Sequence, residues 1–166
     1  SVNAGTGTGT MMVMGQNITV TPITIFEDET GSIATIDAIA AGNVVEISGF
    51  GVGKGNIVAS RIEVKAATHT VGNEIEVKGV VSNLDSGAST FSIGGLTVDY
   101  GSASLDDIST MEDGLYVEVK AIDYTPGSFT LAATEVERED DGEIGHQGDE
   151  EDEFEIKGML TAAYDD

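Results

Sequence analysis

Acidic side chains are the residues whose density and spacing could do chemistry in this chain. Carboxylates crowd the segment from Glu135 to Glu155, and hard cations such as Ca²⁺ bind through several carboxylate oxygens. The spacing D-D-G-E-I-G-H-Q-G-D-E-E-D does not fit an EF-hand loop, and a solvated, self-repelling linker explains the same composition. Ca²⁺ is therefore a candidate ligand, and no cofactor is required. The candidate ligands are Asp140, Asp141, Glu143, Asp149, Glu150 and Asp152.

No other set of residues indicates catalysis. Acidic pairs such as Asp106-Asp107 fall where turns and helix ends are expected, and a catalytic carboxylate would need a cleft and a shifted pKa. His69 and His146 stand singly, without a second histidine at metal-ligand spacing. The G-T-G-T-G near the N-terminus lacks the elements of a dinucleotide fingerprint and the lysine of a P-loop. We therefore expect no catalytic residues and no enzyme activity.

The charge excludes two classes of partner. The chain has 166 residues and a formal net charge of −23. Such a polyanion repels phosphate backbones, so we expect no nucleic-acid partner. No stretch is long and apolar enough to span a bilayer as a helix, so we expect no membrane insertion.

Two segments share an alternating pattern that positions everything else. Glu74 to Val81 reads E-I-E-V-K-G-V-V, and Glu153 to Leu160 reads E-F-E-I-K-G-M-L. Charged residues alternate with apolar ones, which is typical of a half-buried strand. The two align without a gap, so that Val77 corresponds to Ile156 in the sequence alignment. A glycine in mid-strand fits the sharp bend that a small barrel needs in its first strand.

The chain also repeats a larger block of about 72 residues. Short helices are predicted over Ser32 to Ala41 and Leu105 to Met111, and each is followed by a hairpin. The order strand–strand–strand–short helix–strand–strand is that of the OB-fold. The residues related by 72 positions are Ile36 and Ile108, Ile39 and Met111, Gly42 and Gly114, Val45 and Val117, Ile47 and Val119, and Val64 and Val136.

These patterns predict an all-β chain with two tandem OB-like five-stranded small barrels, each with one short helix. The first barrel lacks its own first strand, while a surplus strand of matching pattern stands at the other end of the sequence. The expected segments are module one at 1–66, a linker at 67–73, module two at 74–138, an acidic linker at 139–152 and a donor strand at 153–166.

The chain resembles a family of uncharacterised bacterial secreted or lipid-anchored β-domains that occur as tandem repeats. The resemblance lies in V-V-E-I-S-G-F, G-N-I-V-A-S-R-I-E-V-K and E-I-E-V-K-G-V-V-S-N-L-D, and it covers most of the chain. It implies an exported bacterial protein, extracellular or at the cell surface, with OB-like barrels. It brings no functional residues.

A barrel without its first strand would leave two unpaired strand edges, and each buried orphan N–H or C=O costs about 1–3 kcal/mol. The surplus strand could close its own chain or enter a neighbour's first barrel by strand donation. The sequence could also be a piece of a longer repeat protein, cut out of phase. The donor residues are Phe154, Ile156, Gly158 and Leu160, and the acceptor residues are Met12, Met14, Val45 and Ile47.

The favoured interpretation is an extracellular structural subunit that assembles head to tail into filaments, with itself as partner. A head-to-tail contact of this kind generates a ring or an open filament. The alternative is a monomeric periplasmic or cell-surface binding module, or a fragment of a longer repeat protein, that recognises a small ligand, a cation or a partner protein.

Overall fold

A computed structural model describes residues 2–3, 8–28, 39–51, 56–125, 127–139 and 152–162. These residues form strands, turns and irregular segments, and none of them lies in a helix. The prediction of an all-β chain is confirmed. The finer prediction of two five-stranded barrels stays a prediction. Within the same ranges no helix has the length and apolar character needed to cross a bilayer.

The first half of the sequence contributes six strands. In several of them the alternation of apolar and polar residues gives a buried and a more exposed side, as in the burial of every second residue from Gln16 to Val20. The strands are β1 (Val2–Asn3), β2 (Thr8–Val13), β3 (Gln16–Val20), β4 (Ile25–Asp28), β5 (Val44–Gly51) and β6 (Asn56–Ala66).

The second half contributes nine strands, which are mostly shorter. They are β7 (Ile75–Val80), β8 (Ser82–Asp85), β9 (Thr90–Ile93), β10 (Leu96–Asp99), β11 (Ser104–Asp106), β12 (Tyr116–Ala121), β13 (Thr130–Ala132), β14 (Glu135–Arg138) and β15 (Asp152–Ala162).

The described strands form an eleven-stranded and a four-stranded sheet. The large sheet runs in the order β1-β2-β3-β6-β5-β15-β7-β12-β14-β11, with β4 alongside β6 and an additional pairing between β2 and β15. The small sheet runs β13-β10-β9-β8. The last strand of the sequence therefore lies in the middle of the large sheet.

The buried core draws on both halves of the sequence. Its largest fully buried side chains are Phe91, Met14, Ile18, Ile47, Ile57, Ile62, Ile75, Ile93, Leu96, Leu131 and Ile156. Branched aliphatic residues dominate, because they pack well on a pleated surface. Ile156 of β15 belongs to this core with 1% of its surface exposed, so the terminal strand contributes to the core at this position.

Two equivalent hairpins turn on glycine. The β2–β3 hairpin turns at Met14 and Gly15, whose φ angles of 47° and 78° suit a type I′ turn. The β9–β10 hairpin turns at Gly94-Gly95. Gln16 follows the first turn directly and begins β3.

The predicted helix from Leu105 to Met111 is wrong. Leu105 lies in β11, which pairs in parallel with β14, and Asp107 has a φ angle of 52°. Ile108 and Met111 are half-buried against the core, so their spacing reflects an irregular surface segment that packs against the core rather than a helical face. Most of the other predicted helix, Ser32 to Ala41, lies outside the described residues.

Candidate functional site

The candidate functional site is the position that β15 occupies between β5 and β2. β15 runs antiparallel to β5 over eight register positions, from Asp152 opposite Gly51 to Met159 opposite Val44. On its other side Leu160 lies opposite Val13 of β2. We call this position the terminal-strand slot. In this structure the slot holds the strand of its own chain.

The register of β15 in the slot repeats that of β7 in the second half. Gly158 lies opposite Val45 and Ile156 opposite Ile47. At the equivalent positions, Gly79 lies opposite Val117 and Val77 opposite Val119. β15 therefore relates to β5 as β7 relates to β12, which is the position expected for the first strand of a module.

Gly158 gives the slot its closest packing. A Cβ at this position would overlap the Met14 sulfur and lie 3.0 Å from Met14 Cγ. Met14 is fully buried and comes from the β2–β3 turn. Met14 therefore fills the space that a side chain at position 158 would occupy.

β15 also contacts the second half through β7. Ile156 lies opposite Val77, its own equivalent in the sequence alignment, and Lys157 lies opposite Glu76. The two equivalent hairpin turns meet as well, since a Cβ on Gly15 would lie 2.7 Å from the Gly95 carbonyl carbon. Equivalent residues that meet each other define a local two-fold relation between the two modules.

Ion pairs follow the polar side of the large sheet. Arg61 pairs with Glu27 at 2.8 Å and also with Glu63, and Lys157 pairs with Glu76 at 3.3 Å. The hydrogen bond from Arg61 to Glu27 leads the causes that raise the arginine's pKa, although partial burial opposes it. Because these pairs are partly exposed, each contributes little to the free energy of unfolding. Their main effect is on the alignment of the strands.

Two lysines of the second half each form hydrogen bonds to more than one glutamate. Burial alone would lower the pKa of Lys78, but hydrogen bonds to Glu118 and Glu139 outweigh burial and raise it. Hydrogen bonds to Glu135 and then Glu118 raise the pKa of Lys120. Both lysines therefore stay charged and bind β7, β12 and β14 together.

The structure brings part of the predicted donor and acceptor residues together. Ile156 and Gly158 face Ile47 and Val45 as described above, whereas Phe154 lies opposite Gly49. On β2, Met11 and Val13 are buried and Met12 is only half-buried. Met14 lies in the turn after β2 and not in the strand, so Met12 and Met14 do not form one buried face, and neighbouring residues of β2 point to opposite faces.

Two parts of the slot were missed by the sequence reasoning. The first is β7 of module two, although its shared pattern with β15 was itself the signal for a symmetric pairing. The second is the bulge at Ser60 of β6, which faces Ser48 and Gly49 of β5 and for which the glycine was the available signal.

The predicted Ca²⁺ ligands are not brought together by the described residues. Asp152 begins β15, and the other five candidates lie outside the described ranges. Within those ranges no group of three or more His, Asp or Glu side chains could hold a metal ion. Ca²⁺ binding therefore stays a prediction.

Comparison with known proteins gives one family. The domain of unknown function DUF5666 matches two segments, residues 1–63 and 78–137, in agreement with a tandem repeat. No curated protein and no solved structure matches the chain. The two matched segments make up well over half of the sequence, and the chain belongs to the DUF5666 family.

Proposed function

We propose that this chain is an extracellular structural subunit that assembles by placing its terminal strand in the slot of a neighbouring copy. The observation that carries the proposal is the register of β15, which pairs with β5 over eight positions in the manner of a module's own first strand. A strand that leaves and re-enters an identical slot makes the same contacts in either chain, which is the basis of domain swapping.

The proposal treats each module as an OB-like barrel. In module one, β2 pairs with β3, β3 with β6, β6 with β5, β5 with β15 and β15 with β2. This circuit of five strands follows the strand order of an OB-fold. It supports the view that β15 supplies the first strand of module one.

The connection to β15 is long enough for either arrangement. Arg138 and Asp152 lie three strands apart in the sheet order, which corresponds to roughly 15 Å at about 4.8 Å per strand. The residues 140–151 could span about 40 Å if fully extended. Their acidic composition resists compaction, so an incoming neighbour lies within reach.

A monomeric binding module is the second candidate. The specific observation in its favour is that β15 already fills the slot of its own chain, with Ile156 buried. A closed monomer would leave recognition of a ligand or partner to other surfaces. The extracellular location rests, in both cases, on the sequence resemblance.

Sedimentation velocity over a wide range of protein concentrations distinguishes the two candidates. The assembly proposal predicts species heavier than the 17.1 kDa chain that increase with concentration and disappear when residues 153–166 are deleted. A full-length chain that sediments as a monomer at every concentration would contradict assembly and favour the binding module.

A further inference from the structure

The terminal-strand slot is built from both modules. Among the described strands, β15 alone connects β5 to β7 and thereby joins the two halves of the large sheet. It lies between module one on one side and module two on the other. Any strand that occupies the slot must therefore fit two different neighbours.

Module two offers a carboxylate pair to the incoming strand. Glu74 and Glu76 lie close together at the β7 edge, and a hydrogen bond between them, with burial, raises the pKa of Glu74. Lys120 of β12 lies opposite Glu76 and opposes this shift most, and Lys157 of β15, which contacts Glu76 at 3.3 Å, opposes it next. A cation at position 157 thus relieves the repulsion between two like charges.

Module one restricts the size of the residue at position 158, which follows Lys157. Met14 adopts a φ angle of 47°, uncommon for a residue with a side chain, and is fully buried beside Gly158. In module two the equivalent turn carries Gly94, which has no side chain to present. Met14 is therefore a feature of the slot that β15 occupies and not of the repeat in general.

We propose that the slot is a two-module receptor in which Glu76 of module two selects a lysine and Met14 of module one selects the glycine that follows it. The partner that fits is an antiparallel strand with the pattern E-Φ-K-G-Φ, where Φ is apolar. The terminal strand of the same chain, or of a second copy, carries this pattern at Glu155 to Met159.

Recognition at the slot deepens the proposed function. It rests on the slot being the assembly site only where the strand that is selected comes from another chain. Recognition itself acts on any strand in the slot, including the chain's own. It can therefore be tested in the full-length monomer, at concentrations where no assembly occurs. Failure of assembly would leave the recognition test intact, and the reverse also holds.

The test is a pair of double-mutant cycles read by thermal unfolding of the full-length chain. In the first, Lys157→Glu and Glu76→Lys each lower Tm by about 2–4 °C, and the double exchange lowers it by less than the sum. In the second, Gly158→Ala lowers Tm by about 4–8 °C, and much less when Met14→Gly is also present.

The two cycles have separate controls and outcomes. Lys65→Glu combined with Glu76→Lys is the control for the first cycle, because Lys65 lies in β6, three strands from β7 in the sheet order, and the changes should add. Additive effects in the charge cycle would overturn selection by module two. Additive effects in the glycine cycle would overturn selection by Met14, and the charge cycle still decides if Gly158→Ala prevents folding.

Discussion

At the scale of single residues, Gly49 shows how β5 accommodates its neighbour. The pairing between β5 and β6 shifts register between Ser48 and Gly49. A Cβ at Gly49 would overlap the carbonyl oxygen of Val58 and lie 3.0 Å from the Cα of Ala59. Because backbone atoms cannot move aside as a flexible side chain can, the close approach of β6 beside its bulge requires glycine at position 49.

We expect Gly49→Ala to lower the free energy of unfolding by about 1–3 kcal/mol, because the added methyl group overpacks the β5–β6 contact. Urea denaturation measures this change. Gly87→Ala is the matched control, since the nearest atom to its Cβ is the side-chain oxygen of Asp85 at 3.3 Å in an exposed turn. Equal losses at the two positions would contradict the role given to Gly49.

Buried carboxylates set the response to acid. Lys65 donates a hydrogen bond of 2.9 Å to Glu63, which lowers the pKa of Glu63 below its ordinary 4.5 although burial opposes it. Burial would raise the pKa of Glu118, but hydrogen bonds from Lys78 and Lys120 outweigh it and lower the pKa. Both carboxylates therefore favour the folded state only while they are ionised.

The free energy of unfolding should be greatest above the ordinary carboxylate pKa of 4.5 and fall as pH drops through the lowered folded-state values. The raised pKa values of Lys78 and Lys120 act in the opposite direction, so their contribution persists at neutral pH and is lost only above the ordinary 10.5. Urea denaturation at a series of pH values tests this. Glu118→Gln should weaken the dependence below pH 4.5, and an unchanged slope would contradict it.

At the scale of elements, the sequence predicted the strand pattern of β15 but not all of the strands that pair with it. The alternation and the shared K-G pattern predicted a strand that resembles β7, and the structure gives it the same register. The pattern could not reveal the contact with β7 itself, because periodicity identifies a buried face but not the strand on each edge. The predicted helix at Leu105 failed because apolar spacing of three also occurs in irregular chain that packs against a core from the surface.

Placing a charge in the buried face of β15 should release the strand. Ile156 is 1% exposed between Ile47 and Val77, and Ile156→Asp buries a carboxylate without a partner, at a cost of about 3 kcal/mol or more. Amide hydrogen exchange should increase along β15 and β5. Ile23→Asp, the same substitution at a residue that is 85% exposed, is the control and should change exchange little.

At the scale of the whole molecule, the two modules face each other across β15 and β7. The 72-residue repeat predicted two modules from residues such as Ile47 and Val119, whose strands do take equivalent positions. Their mutual arrangement could not be predicted, since it depends on contacts such as Gly15 with Gly95 that join residues distant in sequence. The acidic segment could not be assigned either, because composition alone does not distinguish a linker from a Ca²⁺ site.

The central claim is that the terminal strand passes between chains, and cysteine cross-linking tests it directly because the chain has no cysteine. Phe50 and Glu153 lie opposite each other in the β5–β15 register, at a separation that a disulfide can bridge, and neither belongs to the E-Φ-K-G-Φ pattern. One variant carries Phe50→Cys, a second carries Glu153→Cys, and the two are mixed at high concentration and oxidised. Mass spectrometry of the product should find a disulfide joining position 50 of one chain to position 153 of the other. A disulfide that forms only when both cysteines are in the same chain would contradict the account.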